Sequence, residues 1–154
     1  MTDYMMGEAP IQNLPWDNNS GYQVLSGSVV VPDKTAAKAG KFTLPAGAGV
    51  ACMLGVLNFT CKDQYQGNII TAGEAEVVAY NAIAIGDYLE IAAIELVTNI
   101  NNETGYQVYL SSIPIGSTPH GTYNCVGMAI SPAVAKNDRL IMNIYPNSNQ
   151  VIVA

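Results

Sequence analysis

The stretch Gly73–Ala92 places two extended segments on either side of a tight turn, and this arrangement constrains the fold more than any other part of the sequence. Charged Glu74 and Glu76 alternate with small apolar residues, which is the period of a strand with one solvated face. Gly86-Asp87 then supplies a tight turn, and a second apolar segment follows. The stretch therefore predicts a strand, a short apolar bridge, a turn and another strand.

Copies of this unit recur elsewhere in the chain. Residues 82–89 (AIAIGDYL) align with residues 133–140 (AVAKNDRL), so that Asn137-Asp138 takes the place of Gly86-Asp87. Gly and Asn both tolerate a positive φ angle, and an aspartate can bond the amides of its own turn. We therefore predict structural turns at Gly86, Asp87, Asn137 and Asp138. A poorer copy spans residues 36–44, and the runs 53–57 and 125–129 form another pair, each broken by one Gly.

Short strand patterns separated by turn signals fill the remainder of the chain. About ten such segments fit between residue 22 and residue 154, and no long amphipathic helix pattern occurs. Residues 92–97 (AAIELV) fit either a strand or a helical turn, and a strand is the preferred interpretation. The pattern predicts an all-β protein, a compact barrel or sandwich in which repeated hairpin units form one domain.

Residues 1–21 differ from the rest of the chain. They contain two prolines and the run DNNSG, with no sustained period of a strand or a helix. We therefore predict an extended N-terminal arm over residues 1–21, followed by a single β domain over residues 22–154. Trp16 either closes over the core of the domain or anchors into a neighbouring subunit, as tryptophan often does at interfaces. On the second interpretation the candidate contacts with a neighbouring subunit are Tyr4, Leu14 and Trp16.

Charge limits the classes of partner. The net charge is −6 with only six Lys and Arg residues, so we expect no nucleic-acid binding, which needs clustered cations. We also expect no signal peptide and no membrane span, because no sufficiently long apolar run is present. Charged residues make up only 12% of the chain, which is low for a solitary soluble domain. Part of the surface is therefore predicted to meet another protein.

The sequence contains no strong motif for catalysis or for binding a cofactor or a metal. His120 lies between Pro119 and Gly121 with no serine motif near it, and the three cysteines fit no zinc spacing. We expect no catalytic, cofactor-binding or metal-binding site, and we expect Cys52, Cys61 and Cys125 to be buried and reduced. Two alternatives remain open. One is a small-ligand or glycan-binding β-barrel, and the other is a hydrolase that uses a pair of carboxylates; the candidates for the first are Tyr106, Tyr109 and Trp16.

Four short motifs follow one another in the second part of the chain: Gly73-x-Ala-x-Val77, Ala82-Ile-x-Ile-Gly-Asp87-x-Leu89, Val126-Gly-Met-Ala129 and Ala133-x-Ala-x-x-Asp138-x-Leu140. In this order they resemble the motifs of the structural cement, or head-decoration, proteins of tailed bacteriophages. The resemblance covers roughly residues 25 to 146. It departs at Asn137, where Gly is usual, and the arm and the tail (residues 146–154) have no counterpart in that family.

The resemblance implies a non-enzymatic β protein on the outer surface of a bacteriophage capsid. Such a protein would be made in the host bacterial cytoplasm, would bridge neighbouring major capsid protein subunits, and would use no cofactor. Self-association as a dimer or trimer is also expected. The composition is consistent with this role, because the nine tyrosines offer large contact surfaces with polar tips.

Overall fold

The computed structural model describes residues 12–35, 40–50, 53–114 and 121–153. Side-chain environments are described for those of these residues that lie between 13 and 145. Within them the chain forms eleven β-strands and no helix. The predicted all-β fold is confirmed, and residues 92–97 belong to a strand. The strands are β1 (Gln12–Leu14), β2 (Asp17–Asn18), β3 (Val29–Pro32), β4 (Lys41–Thr43), β5 (Gly55–Leu57), β6 (Ile69–Ala72), β7 (Glu74–Val78), β8 (Tyr88–Thr98), β9 (Thr104–Ser112), β10 (Gly121–Ala129) and β11 (Arg139–Val153).

The strands form two sheets that pack as a sandwich. The six-stranded sheet has the order β1-β6-β5-β3-β4-β2, and the five-stranded sheet has the order β7-β11-β10-β8-β9. Apart from the short parallel β2–β4 pair, the named strands pair antiparallel. The chain passes from one sheet to the other at Gly73, whose φ is +90°. Only a residue without a Cβ adopts that backbone angle at low cost.

Both sheets have the same strand order. The Asp17–Gln66 bridge continues the pairing of β1 with β6, so β1 and β2 act as one bent strand. With β1 and β2 counted together as the first strand, the first half (residues 12–72) has five strands, as does the second half (residues 73–153). When the strands of each half are numbered in chain order, both sheets have the spatial order first, fifth, fourth, second, third. The repeats predicted at the size of a hairpin are therefore parts of a duplication that extends over each half.

Each half also closes on itself in the same way. In the first half, Asn18 pairs in parallel with Phe42 of β4. In the second half, Ala79 pairs in parallel with Leu110 of β9. The first strand of each half thus contacts both the fifth and the third, which covers sheet edges that would otherwise be open to other chains.

Gly55 and Gly127 occupy equivalent places in the two halves. A Cβ at Gly55 would lie 2.4 Å from the carbonyl oxygen of Ile70, and a Cβ at Gly127 would lie 2.4 Å from that of Asn143. Real Cβ atoms do not approach an oxygen so closely, so both positions require glycine. The recurrence of residues 53–57 at 125–129 thus has a structural cause, which is one close backbone approach repeated in each half.

The core repeats as well. Six buried side chains form a cluster in the first half: Val24, Val30, Phe42, Leu57, Cys61 and Ile69. The six residues at the equivalent positions of the second half all belong to the larger core cluster: Ile83, Leu89, Leu110, Ala129, Ala133 and Met142. Val29, Val56 and Ile70 of the first half join that larger cluster, so they pack the two halves together. Each fully buried large aliphatic side chain contributes about 1.5–3 kcal/mol.

The N-terminal segment differs from the prediction. Residues 12–18 form β1 and β2, and the Asn18 side chain is fully buried and donates to the carbonyl oxygens of Tyr22 and Cys61. The boundary drawn at residue 21 is therefore corrected: residues 12–21 belong to the β domain. Backbone pairing with β6 and β4 orders this segment although its sequence lacks periodicity.

Several predictions fall outside the described residues. Tyr4 and the rest of residues 1–11 lie there, as do Cys52 and His120. The burial predicted for the thiols is confirmed for Cys61 and Cys125, which are both free and buried. The poorer copy at residues 36–44 is described only from Gly40, whose φ is +84°. Further copies of the turn lie elsewhere in the first half.

Candidate interaction surface

Two turns in the second half are held by aspartates. Gly86 and Asn137 have φ angles of +89° and +75°. Asp87 Oδ2 accepts hydrogen bonds from the Ala84 amide at 2.9 Å and from the Ser112 hydroxyl at 2.6 Å. The Asp138 carboxylate accepts from the amides of two residues of its own turn, Val134 and Ala135, at 2.9 and 3.0 Å. Each carboxylate satisfies turn amides that would otherwise need water.

These two turns bond each other through the backbone. The Gly86 amide donates to the Ala129 carbonyl at 2.8 Å, and the Ala129 amide donates to the Asp87 carbonyl at 2.9 Å. On the other side the Asn137 amide donates to the Ala79 carbonyl, and the Ala79 amide donates to the Asp138 carbonyl, both at 2.9 Å. Residues 79–87 and 129–138, called the second turn pair here, are thus related by an approximate twofold axis.

The first half contains the same hydrogen-bond pattern. Gly27 and Leu57 take the places of Gly86 and Ala129, with the Gly27 amide donating to the Leu57 carbonyl at 2.8 Å. Gln64 and Asn18 take the places of Asn137 and Ala79, with the Gln64 amide donating to the Asn18 carbonyl at 2.7 Å. Residues 18–28 and 57–65 are called the first turn pair.

The surfaces of the two turn pairs differ in polarity. The first exposes Asn58, Lys62 and Gln64 together with the rings of Phe59 and Tyr65, so polar, charged and aromatic side chains are mixed there. The second turn pair exposes seven uncharged aliphatic residues, which together are called the apolar turn surface: Ala82, Ala84, Ile85, Ile130, Pro132, Val134 and Ala135. Ile85 and Val134 are 66% and 82% exposed. Apolar side chains clustered on an exposed surface are typical of a protein contact site.

The charges that border the apolar turn surface are already satisfied within the chain. Asp87 and Asp138 point to backbone amides, and Lys136 binds both carboxylate oxygens of Glu95 at 2.8 and 3.0 Å. The Lys136 ammonium also lies 4.8 Å from the ring centre of Tyr80. Its hydrogen bond with Glu95 raises the pKa of Lys136, so the lysine stays charged and paired. Covering this surface would therefore leave no new unpaired charge.

Two of the contact residues predicted from the sequence, Leu14 and Trp16, lie outside the apolar turn surface. Leu14 and Trp16 are half-buried and pack against the core cluster of the first half. Of the two interpretations of Trp16, the structure shows the ring on the protein's own core. Ile85 and Val134 were not among the candidate contact residues predicted from the sequence, although each lies in a short uncharged apolar run next to a turn. That combination of an apolar run and a turn was the available signal.

The three aromatic residues considered for a glycan site do not form one. Tyr109 is only 1% exposed, and its hydroxyl donates to Asn137 Oδ1 at 2.7 Å. Tyr106 packs edge-on against Tyr22 at 4.7 Å between ring centres. Trp16 packs on the core cluster of the first half. A ligand site built from these three rings is therefore not assembled.

Reactive groups are sparse in the part of the chain that the structure describes. No three metal-ligating side chains come together there, and no helix offers a candidate membrane span. Burial raises the pKa of both the Cys61 and the Cys125 thiols, which keeps them protonated and poorly nucleophilic at neutral pH.

Comparison with known proteins gives a structural match. No protein-family model and no curated protein sequence matches the chain. The crystal structure of the head fiber gp8.5 N base in bacteriophage phi29 superposes with a TM-score of 0.54 at 14% sequence identity. The match covers 91% of this chain and 98% of the phage chain. This chain and the crystallised N base chain therefore share a fold over nearly all of their residues.

Proposed function

We propose that the protein is a non-enzymatic structural protein of a bacteriophage head. It is made in the cytoplasm of the host bacterium and becomes part of the virion on the outer surface of the capsid. There it acts as a cement, or decoration, protein that bridges neighbouring major capsid protein subunits. It uses no cofactor.

The observation that carries this proposal is the fold shared with the phi29 head fiber base, which extends over 91% of this chain. Fold alone does not determine function, because one fold can host many functions. Independent support comes from the sequence motifs of the head-decoration family, two of which coincide with the turns at Gly86-Asp87 and Asn137-Asp138. These turns hold the apolar turn surface.

The apolar turn surface is the region that we assign to the capsid contact. Its uncharged side chains are held on two turns that bond each other, so the surface is ordered before binding and loses little conformational entropy there. Ile85 and Val134 are more exposed than Ile130, the other large aliphatic side chain of this surface. Their burial against a capsid subunit supplies the hydrophobic part of the binding free energy.

The stabilising mechanism is mass action. A protein that binds the closed shell and not its separated subunits stabilises the shell by its binding free energy, summed over all bound copies. Self-association as a dimer or trimer would increase the effect, because linked copies bind neighbouring subunits with a high effective concentration.

The test is binding to capsids that lack the protein. Wild type, Ile85→Asp and Val134→Asp are each mixed with undecorated heads, and bound protein is measured after sedimentation. A charge at either position would be buried without a partner, so affinity should fall by at least about tenfold. Ile100→Asp is the matched control, because Ile100 is 91% exposed but lies in the β8–β9 loop, outside the apolar turn surface.

The binding results test the proposed head function and the assigned contact surface separately. If wild type fails to bind heads, the proposed function is wrong. If wild type and all variants bind equally, the protein is a head protein but the apolar turn surface is not its contact. Mass measurement of the free protein by light scattering determines whether it is a monomer, dimer or trimer.

A further inference from the structure

A groove in the first half carries a second kind of binding chemistry. It has a volume of about 380 Å³, within the range of roughly 300–1,000 Å³ of small-ligand sites. Its lining shares no residue with the apolar turn surface. Three carboxamide side chains, Asn13, Gln66 and Asn68, contribute to it together with Leu14, Pro15 and Phe59.

The carboxamides of the groove differ in exposure. Asn13 and Gln66 are exposed, whereas Asn68 Oδ1 is buried and accepts no hydrogen bond from the described residues. A ligand in the groove therefore meets the carboxamides of Asn13 and Gln66, each of which can both donate and accept hydrogen bonds.

A flat apolar surface lies beside these polar groups. The ring of Phe59 is 65% exposed although it lines the groove. A second face is formed by Leu14 and Pro15. None of the residues that line the groove carries a charge at neutral pH. The thiol of Cys61, which also lines it, points to the backbone carbonyl oxygens of Lys62 and Tyr65.

We infer that this groove binds a neutral sugar, one pyranose unit of a free saccharide or of a glycan chain. A pyranose presents an apolar C–H face that packs on an aromatic ring, and its hydroxyls both donate and accept. Carboxamides match this chemistry because each also donates and accepts. A charged ligand would lose its hydration without gaining an opposite charge. The sugar hydroxyls then bond the exposed carboxamides of Asn13 and Gln66 while the sugar face packs on Phe59.

The test is an NMR titration of the isotope-labelled full-length protein. The probes are the methyl glycosides of glucose, galactose and N-acetylglucosamine, with glucuronate as the charged comparison. At least one neutral glycoside should shift the Gly67 amide and the Asn68 side-chain amide. Glucuronate should bind more weakly. A tetrasaccharide of the active sugar distinguishes the sources: tighter binding assigns a glycan chain, and equal binding assigns a free saccharide.

Two variants and one control identify the site. Phe59→Ala should weaken binding by at least about tenfold through loss of the stacking surface. Gln66→Leu removes an exposed carboxamide that lines the groove, so it should also weaken binding. Tyr65→Ala is the control, because Tyr65 is similarly exposed, at 63%, and does not line the groove.

Clear results would overturn the inference. These are the absence of shifts with every neutral glycoside, tighter binding of glucuronate, or unchanged affinity in Phe59→Ala. Binding of trialanine amide at the same amides in place of all sugars would show a peptide site instead. The titration needs no capsid, so its outcome is independent of the proposed head function.

Discussion

Ile83 and Ala133 each donate a backbone hydrogen bond to the other's carbonyl oxygen, at 2.9 Å in both directions. Val24 and Cys61 do the same in the first half, at 3.0 and 2.9 Å. Each reciprocal pair lies at the centre of one turn pair. The two turns of a pair therefore support each other, and weakening one is expected to weaken its partner.

The first prediction concerns the turn aspartates. Asp87→Ala and Asp138→Ala should each lower the free energy of unfolding by about 1–2 kcal/mol, because the turn amides lose the carboxylate that accepts their hydrogen bonds. Urea unfolding monitored by circular dichroism gives the value. Glu74→Ala is the control, since it removes an exposed carboxylate at a strand edge and should change stability by less than about 0.5 kcal/mol.

Because the two turns support each other, the stability changes of the two aspartate variants should not be independent. Asp87 and Asp138 lie in turns that share backbone bonds, so the double variant should deviate from additivity by at least about 0.5 kcal/mol. Strict additivity would show that the turns act independently. Full stability in either single variant would contradict the structural role of its carboxylate.

The second prediction concerns the two glycines with close backbone contacts. Gly127→Ala would place a Cβ 2.4 Å from the Asn143 carbonyl oxygen and 2.6 Å from Met142 side-chain atoms. The strands must separate to accept it, at a cost of about 1–3 kcal/mol or more. Gly55→Ala should behave alike. Gly47→Ala meets no atom within 4 Å and serves as the control, so thermal unfolding of all three proteins tests the prediction.

The turns of the second half could be predicted from the sequence because few residues determine them. Gly or Asn at a positive φ, followed by an aspartate, is a local signal, and the structure shows Gly86 and Asn137 at such angles. The equivalent turns of the first half carry no such signal. Gln64 has a φ of +67° although it is neither Gly nor Asn. Its backbone bond to Asn18, 46 residues away in sequence, helps to hold it there.

The candidate interaction surface could not be predicted for a different reason. Ile83 and Ile85 lie in the same apolar run, yet Ile83 is buried and Ile85 is exposed. The difference arises because Ile83 faces Ala133 across the turn pair, which is a contact between distant parts of the chain. Likewise, Leu14 and Trp16 join a core that only the folded sheet creates.

The third prediction concerns pH. Burial raises the pKa of Cys61, Cys125, Tyr109 and Tyr145, so the unfolded chain releases these protons at lower pH than the folded one. Stability is therefore fully present below the ordinary thiol pKa and should decline from about pH 8.5 upward. Urea midpoints at several pH values between neutral and alkaline measure this. Cys125→Ala should show a shallower decline, and a midpoint constant over the whole range would contradict the prediction.

The last prediction concerns truncation at the N-terminus. Removing residues 1–11 should leave the β domain folded, because β1 begins at Gln12. Removing residues 1–21 should unfold it, since this deletes both β1 and β2 and the buried Asn18 side chain with its bonds to Tyr22 and Cys61. It also strips Leu14 and Trp16 from the core cluster of the first half. Circular dichroism and amide dispersion in NMR spectra show whether each truncated protein is folded. A folded protein lacking residues 1–21 would show that the first sheet closes without its first strand, and an unfolded protein lacking only residues 1–11 would extend the domain to the N-terminus.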